Sequence, residues 1–478
     1  MPWNSDSCAA GETSRQRPAP PRRPPTPAGR HRRGINLAEL DSGNDRPLGI
    51  ANAHPPHSSP SRRRQWAGLL LPEHRVTVDL TPDPAVAELA ARTAEFVRTV
   101  VLPVEQRVGG IVHSGGPVRQ ELQDAAREAG LLSPQVSPSY GGHGLDARGQ
   151  ALVFEQAGYA LLGPLAMNCA APDEGNMHLL EVVADDMQRE RFLRPLAEGR
   201  VRSCFAMTEP APGAGSDPRA LATTATKVPG GWSITGHKWF ISGARGAAFS
   251  ICMARTSGSP GDAGGATMFL LDMDTPGVTY VRDIDTMDQG IFAGHSELRF
   301  DGAFVPDDCI LGEVDKGFEY AQVRLAPARL THCMRWLGAA SHAHDLAMRH
   351  ATNRRAFGSR LADLGMAQQH LADNEIDLET SRAMVMRCAW ELDQDSNSAE
   401  SARLSSIAKV FVSEAVNRVV DRSLQLCGAL GASEDILVAR YLRDARAFRI
   451  YDGSSETHRW ALARRAVRRA TRQQESAG

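Results

Sequence analysis

The sequence lacks the features that would place the protein in a membrane or in a disulfide-bonded class. Its 478 residues contain no stretch of 18 or more that is apolar and free of polar breakers, so no membrane span is predicted. The amino terminus has no apolar core of a secretory signal peptide. The eight cysteines are scattered and form no CxxC pair, which predicts reduced thiols in a cytoplasmic protein.

Several common binding and catalytic motifs are also missing. Strands and helices do not alternate, and no GxGxxG turn follows a strand, which excludes the Rossmann route to a dinucleotide. The sequence has no P-loop, no HExxH and no GxSxG. We predict no metal site.

Charge is distributed unevenly along the chain. Residues 1–75 hold 12 arginines, no lysine and 6 acidic residues, a local net charge of +6. The other 403 residues carry 42 basic and 50 acidic groups, and this acidic body argues against a nucleic-acid surface. The Arg- and Pro-rich residues 1–75 predict a disordered tail, because they cannot bury enough apolar surface to offset the ordering entropy. A basic nucleic-acid or transit arm, or a start codon placed too far upstream, is the alternative.

The remaining chain divides into three regions by pattern. Helical periodicity predicts an N-terminal helical domain over 78–202, with a long amphipathic helix over 85–108. Over 203–312, short β-type runs alternate with glycine turns, and 229–231 separates two runs as a hairpin turn would. Helical periodicity returns over 317–470 and predicts a C-terminal bundle.

Four segments carry residue types suited to binding or catalysis: 204–217, 236–244, 354–358 and 450–456. In the first, small residues let a backbone approach a flat or phosphorylated ligand; in the second, consecutive aromatics offer a stacking surface. In the third, an arginine offers a pyrophosphate clamp; in the fourth, Asp452 beside a glycine is a candidate general base. Each segment alone also fits an ordinary role: a loop, a half-buried strand, a solvated helix cap or an Asx turn.

Together, in this order and spacing, the four segments resemble the acyl-CoA dehydrogenase family over about residues 78–470. Further matching pieces lie at 140–145, 304–313 and 424–428, and 168–177, 329–335 and 452–458 are similar to a narrower subgroup. Larger members of that subgroup carry a phosphotransferase-like domain ahead of the dehydrogenase. The resemblance implies an α+β fold, the acyl-CoA dehydrogenase fold: an N-terminal helical domain, a middle β-barrel-like domain and a C-terminal four-helix bundle.

The resemblance also implies FAD, bound between the β domain and the C-terminal helices. Phe240 stands where the family usually has a Trp on the flavin ring, and Ser242 replaces a common Thr near flavin N5. Arg354 and Phe357 match an element that reaches FAD in a neighbouring subunit. The other implied cofactor residues are Phe205, Met207 and Thr208 at the flavin, Ser216 at the phosphates, Gln425 and Gly428 at the adenosine half, and Ser454 and Glu456 after the base.

By the same resemblance, the substrate is an acyl-CoA thioester and the product a trans-2-enoyl thioester. Asp452 removes the α-proton while the β-hydride passes to flavin N5, and the Asp452 N–H donates to the thioester carbonyl. We expect burial beside the acyl chain to raise the pKa of Asp452. The implied substrate-side residues are Ser216, Arg329, Gly453 and Arg464. An electron-transfer flavoprotein or similar acceptor, a homodimer or homotetramer, and a place in fatty acid metabolism are further implications.

Three positions depart from the family pattern. Asp452 is one bond shorter than the usual Glu, and 325–329 offers no carboxylate at the alternative base site used by some relatives. Gly365 replaces the usual glutamine after the RxxFG element, which puts one FAD contact in doubt. The alternatives are an oxidase or hydroxylase of the same fold, such as a nitroalkane oxidase with an Asp base, and a non-catalytic dimeric scaffold.

Overall fold

The computed structural model describes residues 78–109, 116–288 and 294–477. The predicted tail over 1–75 therefore lies outside the described residues. Within the described ranges, helices precede residue 203, strands occupy 203–311, and helices return from 317, apart from one short hairpin. This order confirms the predicted α+β architecture.

The N-terminal region begins with a helix that Asp83 caps by accepting from the Ala85 amide, with Pro84 as its first residue. A π-helical turn over Val97–Val101 precedes Pro103, whose missing N–H cannot continue a regular ladder. The prediction of one helical stretch over 85–108 is confirmed. The helices are α1 Pro84–Phe96, α2 Leu102–Val108, α3 Pro117–Glu128, α4 Ala147–Gly158, α5 Gly163–Ala166, α6 Asp173–Val183, α7 Asp186–Gln188 and α8 Arg194–Ala197.

The middle region is an eight-stranded sheet. The strands are β1 Ser203–Ala206, β2 Thr224–Val228, β3 Gly231–Ser242, β4 Phe249–Arg255, β5 Ala266–Asp272, β6 Val278–Ile284, β7 His295–Pro306 and β8 Ile310–Leu311. Their order is β6-β7-β3-β2-β4-β5-β8, with β1 parallel to β4. Val228 pairs with Gly231 across a two-residue loop in which Gly230 has φ 77°, so the predicted hairpin is confirmed. β4 is buried on both faces and forms the centre of this region's core.

The C-terminal region is built from long helices. Their bounds, with one short hairpin, are α9 Gly317–Asn353, β9 Arg355–Ala356, β10 Ser359–Arg360, α10 Gly365–Gln394, α11 Ala399–Gly431, α12 Val438–Phe448 and α13 Ser455–Ala477. Gly428 interrupts α11 with φ 59° and ψ −138°. No helix among the described residues is long and apolar enough to cross a membrane.

Helices α4 and α9 approach each other closely at two glycines. A Cβ on Gly158 would lie 2.1 Å from the Arg335 carbonyl oxygen, and one on Gly338 would lie 2.0 Å from the Glu155 carbonyl oxygen. Both positions therefore require glycine, because any side chain would separate the two backbones. This contact fixes the position of α9, the helix that supplies most of the charged groups described next.

Candidate active site

A strained turn between α12 and α13 carries the predicted base. Asp452 has φ 54°, which is uncommon for a residue with a side chain, and Gly453 follows with φ 92°. The positive φ of Gly453 strains any other residue there, and a Cβ would also lie 2.7 Å from His458 Nε2 and displace that ring. The turn places the Asp452 carboxylate against α9, where Oδ2 lies 3.2 Å from His332 Nε2.

The backbone of this turn is held from two sides. The Asp452 carbonyl oxygen accepts from Arg329 Nε and from His458 Nε2, each at 3.1 Å. Ser454, rather than Asp452, caps α13, since its Oγ accepts from the Thr457 amide at 3.2 Å. The Asp452 carboxylate therefore does not cap α13, although a capping Asx turn is the alternative interpretation of this segment.

The charges around Asp452 decide its protonation. Burial acts to raise the pKa of the carboxyl, but the hydrogen bond from His332 and the charges of Arg324 and Arg329 outweigh it. The pKa of Asp452 is consequently lowered. The rise in pKa expected beside an acyl chain stays a prediction; within the protein itself, three cationic or donating groups from α9 outweigh burial.

Arg324 connects the base with the predicted flavin side of the site. Its guanidinium lies 4.2 Å from the centroid of the Phe205 ring, and its Nε donates to Asn176 Oδ1 at 2.7 Å. Asn176 in turn donates to Ser203 Oγ at 2.9 Å. Sequence reasoning assigned no role to Arg324 or Asn176, although the segment containing Asn176 had been matched as a motif. The structure shows that helices α6 and α9 and strand β1 share one buried polar network.

A buried ion pair shapes the loop after β1. Glu209 accepts from Lys238 Nζ at 2.8 Å, and the same ammonium donates to the Met207 carbonyl oxygen at 3.1 Å. The Trp239 amide donates to the Thr208 carbonyl oxygen at 3.1 Å. The structure thus brings the predicted residues Met207 and Thr208 beside the aromatic strand β3. Sequence reasoning missed the pair, although a lysine within a β-type run was a visible signal.

Phe240 projects from a β-bulge in this strand. The pairing of β3 with β7 shifts between Lys238 and Ile241, and Phe240 has φ 51° with 43% of its surface exposed. Ser242 Oγ lies 2.8 Å from His295 Nδ1 in the same strand pair. An exposed aromatic face beside a hydroxyl fits a planar ligand with a polar edge.

Three other predicted cofactor residues meet in a separate cavity of about 610 Å³. Arg354 lines it, and its guanidinium has no hydrogen-bond or ion-pair partner within 78–109, 116–288 and 294–477. Gln425 and Gly428 also line it, and a Cβ on Gly428, at the break in α11, would meet no other atom within 4 Å. A free guanidinium in an open cavity fits an anionic group. The exposed ring of Phe240 and the guanidinium of Arg354 are each suited to the FAD contact predicted for them, and both contacts stay predictions.

The remaining predicted residues lie at the surface. Ser216 is exposed in the loop after β1, and Phe357 is 94% exposed in the β9–β10 hairpin. Glu456 is exposed on α13, 3.9 Å from Arg459. Arg464 lies on the same helix, 4.5 Å from the Trp460 ring centroid. None of these four forms a hydrogen bond or ion pair with Asp452 in the described parts of the chain, so their assignment remains a prediction.

Family models match nearly all of the described chain. The acyl-CoA dehydrogenase N-terminal domain matches residues 84–200, the middle domain 204–303 and the C-terminal domain 315–467. FadE2 of Mycobacterium tuberculosis, a probable acyl-CoA dehydrogenase, is 38% identical over 402 residues, which are 82% of this chain and 98% of that protein.

Two further relatives extend the comparison. Acyl-CoA dehydrogenase family member 10 of Mus musculus is 33% identical over 82% of this chain, but the match covers only 38% of that longer protein. The solved structure of butyryl-CoA dehydrogenase from Megasphaera elsdenii has a TM-score of 0.72 and 27% identity, covering 82% of this chain and all of the other.

Proposed function

Because the chain belongs to the acyl-CoA dehydrogenase family and is an FAD-dependent oxidoreductase, we propose that it removes hydrogen from Cα and Cβ of an acyl-CoA thioester. Asp452 is the base in this proposal. The observation that carries the assignment is its half-buried carboxylate, held on a left-handed turn with Oδ2 facing His332. Oδ1 has no hydrogen-bond partner among the described residues and is free to accept a proton.

The same turn supplies a donor for the substrate carbonyl. The Asp452 amide N–H has no acceptor within the described ranges, while the Asp452 carbonyl is held by Arg329 and His458. An amide fixed in this way stabilises the negative charge that develops on a thioester oxygen as the α-proton leaves. The base and the carbonyl donor then belong to one residue, which sets the distance between them.

Substrate binding has to make Asp452 a stronger base than it is in the open site. Its lowered pKa favours the charged form but weakens its affinity for a proton. An acyl chain lying over the carboxylate excludes water and raises its pKa, since burial penalises the charged form. The cations of α9 therefore keep the base ionised before binding, and desolvation by the substrate activates it.

FAD, when bound, supplies the acceptor for the β-hydride. In this proposal Thr208, Phe240 and Ser242 hold the ring, and Arg354 with Gln425 and Gly428 holds the pyrophosphate and adenosine. Arg354 reaches the FAD of a second subunit, so the protein is at least a dimer. An electron-transfer flavoprotein or similar acceptor reoxidises the enzyme. The cysteines in the described chain are buried and unpaired, which supports a cytoplasmic location.

The role of Asp452 is tested by Asp452→Asn and Asp452→Glu. Asn keeps the shape but cannot accept the proton, so the rate of flavin reduction by acyl-CoA falls by roughly 10²–10⁴-fold. Glu restores a carboxylate one bond longer, so part of the rate returns with a different preference for chain length. Anaerobic stopped-flow absorbance near 450 nm with a panel of acyl-CoAs measures both effects.

Asp421→Asn, an exposed substitution on α11, is the matched control for removal of one negative charge. A fully active Asp452→Asn enzyme would show that another group is the base. Flavin that is bleached by nitroalkanes with oxygen uptake, and not by any acyl-CoA, would instead favour the oxidase alternative.

The cofactor assignment is tested at Arg354. Arg354→Ala removes the free guanidinium from the cavity, and loss of a charged hydrogen bond weakens FAD affinity by roughly 10- to 100-fold. Acyl-CoA affinity changes less, because Asp452 and Arg329 are untouched. FAD release during dialysis and light scattering with and without FAD measure retention and assembly. A monomer that keeps all of its FAD would contradict the role of Arg354 at a subunit interface.

A further inference from the structure

The imidazole of His332 lies against the carboxylate of Asp452. Its Nε2 is 3.2 Å from Asp452 Oδ2, with the two side chains 13% and 20% exposed. The ring also packs on Tyr451, the residue before Asp452, at a centroid distance of 4.9 Å. His332 therefore contacts both the reactive group and the turn that carries it.

Arg335 determines which nitrogen of this imidazole holds a proton. Its Nη2 lies 3.3 Å from His332 Nδ1. A guanidinium has only donors, so Nδ1 must be the acceptor. The proton of the neutral ring is consequently on Nε2, the atom that faces Asp452.

Arg335 is itself held in place by α6 and by the segment just before it. Its Nη1 donates to the Cys169 carbonyl oxygen at 2.9 Å and lies 3.3 Å from Glu174 Oε2, with the side chain only 6% exposed. The same Glu174 oxygen accepts from Thr331 Oγ1 at 2.9 Å. A continuous chain of contacts thus runs from Glu174 through Arg335 and His332 to Asp452.

The surroundings of His332 disfavour a positive charge on the ring. Burial lowers the pKa of His332, and the Arg335 guanidinium lowers it further, although the Asp452 hydrogen bond and the Glu174 charge act in the opposite direction. The net direction is downward, which favours the neutral ring. The other cations near Asp452 are Arg324, Arg329 and Lys409.

We propose that His332 is a positioning residue for Asp452: a neutral imidazole whose proton Arg335 keeps on Nε2, and which fixes one carboxylate oxygen while the other receives the substrate proton. This inference rests on the proposed role of Asp452 as base. The two oxygens of the Asp452 carboxylate then have different functions. Oδ2 is held by the protein, and Oδ1 is left for chemistry.

The same geometry argues against a proton relay through His332. A relay would need Nε2 to accept the proton from Asp452, but Nε2 already carries one. It would also need Nδ1 to pass a proton onward, and the group at Nδ1 is a guanidinium that cannot accept it. The proton taken by Asp452 therefore stays on Asp452 until product leaves.

Two substitutions test the proposal. His332→Leu fills the space without a donor, and the flavin reduction rate falls by roughly 10- to 100-fold at neutral pH, the effect of one hydrogen bond to a charged group. The acid limb of the pH–rate profile moves to higher pH, since the donor that favours the carboxylate is gone. His332→Gln keeps an amide donor and restores most of the rate and of the acid limb. The affinity for acyl-CoA changes little in either variant.

His342→Gln is the matched control, because His342 is a buried histidine of the same helix that contacts Tyr441 at 2.7 Å rather than Asp452. Its acid limb stays where it is in the wild type, whatever the change in melting temperature. His332→Gln as slow as Asp452→Asn would indicate a relay and overturn the proposal, as would His332→Leu with a wild-type rate and acid limb. Asp452→Asn run in parallel separates the two hypotheses: if it keeps the full rate, the assignment of the base has failed as well.

Discussion

Two carboxylates, Glu209 in the sheet region and Asp452 between the last two helices, lie beside cations but differ in how their oxygens are occupied. Glu209 is 3% exposed and accepts from Lys238 and from the amides of Ala214, Ala222 and Thr223. Asp452 is 20% exposed, and only its Oδ2 faces a side-chain donor. Both oxygens of Glu209 therefore accept hydrogen bonds, whereas only one oxygen of Asp452 faces a donor.

The difference shows how the same chemical group serves the fold in one place and a reaction in another. Burial acts to raise the pKa of Glu209, but Lys238 and the surrounding donors lower it to about 2. With both oxygens occupied, that carboxylate can hold the loop after β1 but has no site for an incoming proton. Asp452 is also kept ionised, yet one oxygen remains accessible, and its backbone is in a conformation that an ordinary structural residue avoids.

The largest expected effect on stability is at Glu209. Glu209→Gln leaves the Lys238 ammonium buried without a counter-ion and lowers the free energy of unfolding by about 3–5 kcal/mol. Asp452→Asn changes it by less than about 1 kcal/mol, because its carboxylate is partly solvated. Urea unfolding at a fixed FAD concentration measures both. Equal losses in the two variants would remove the distinction between the carboxylates. Glu209→Gln combined with Lys238→Met removes both charges and recovers part of the loss.

Protonation of Glu209 at low pH is expected to lower the free energy of unfolding by about 3 kcal/mol. The pKa of Glu209 is about 2 in the folded protein and 4.5 in a free side chain, so its stabilisation is complete above pH 4.5 and is lost as pH falls from 4.5 to 2. The midpoint for urea unfolding, followed from pH 6 down to 3, falls more steeply for the wild type than for Glu209→Gln. Parallel curves for the two proteins would show that the loss of stability at low pH does not come from Glu209.

The smallest effect is at the cap of α13. Ser454→Ala removes the oxygen that accepts from the Thr457 amide and lowers the free energy of unfolding by about 1 kcal/mol. Asp452→Asn, two residues away, has a smaller effect on stability, since Asp452 does not cap the helix. Urea titrations of the two variants compare them directly. A larger loss of unfolding free energy in Asp452→Asn than in Ser454→Ala would indicate that Asp452 has a structural role.

Local patterns in the sequence predicted the fold well. Val385, Cys388, Ala389 and Leu392 have helical spacing and are all buried on α10, because periodicity reflects the single face that packs. The hairpin at 229–231 was predictable because a glycine with positive φ is a local requirement. Asp452 was identified through a motif of adjacent residues.

The interactions around Asp452 could not be predicted from local sequence patterns. His332 and Arg324 lie more than a hundred residues before Asp452 in the chain and reach it only because α9 packs beside the α12–α13 turn. The direction of the Asp452 pKa depends on the sum of these charges against burial, and no local pattern gives that sum. Lys238 and Glu209 are likewise 29 residues apart and meet because the loop after β1 folds against β3.

The glycine contact between α4 and α9 makes this site sensitive to changes far from any ligand. Gly158 meets the backbone of Arg335, the residue that orients His332, and Gly338 lies one turn further along the same helix. A methyl group at either position would displace the helix that carries Arg324, Arg329, His332 and Arg335 together. Random mutagenesis scored only for catalysis would therefore return these two glycines among its strongest hits. A variant library built from ligand-contacting positions alone would omit them.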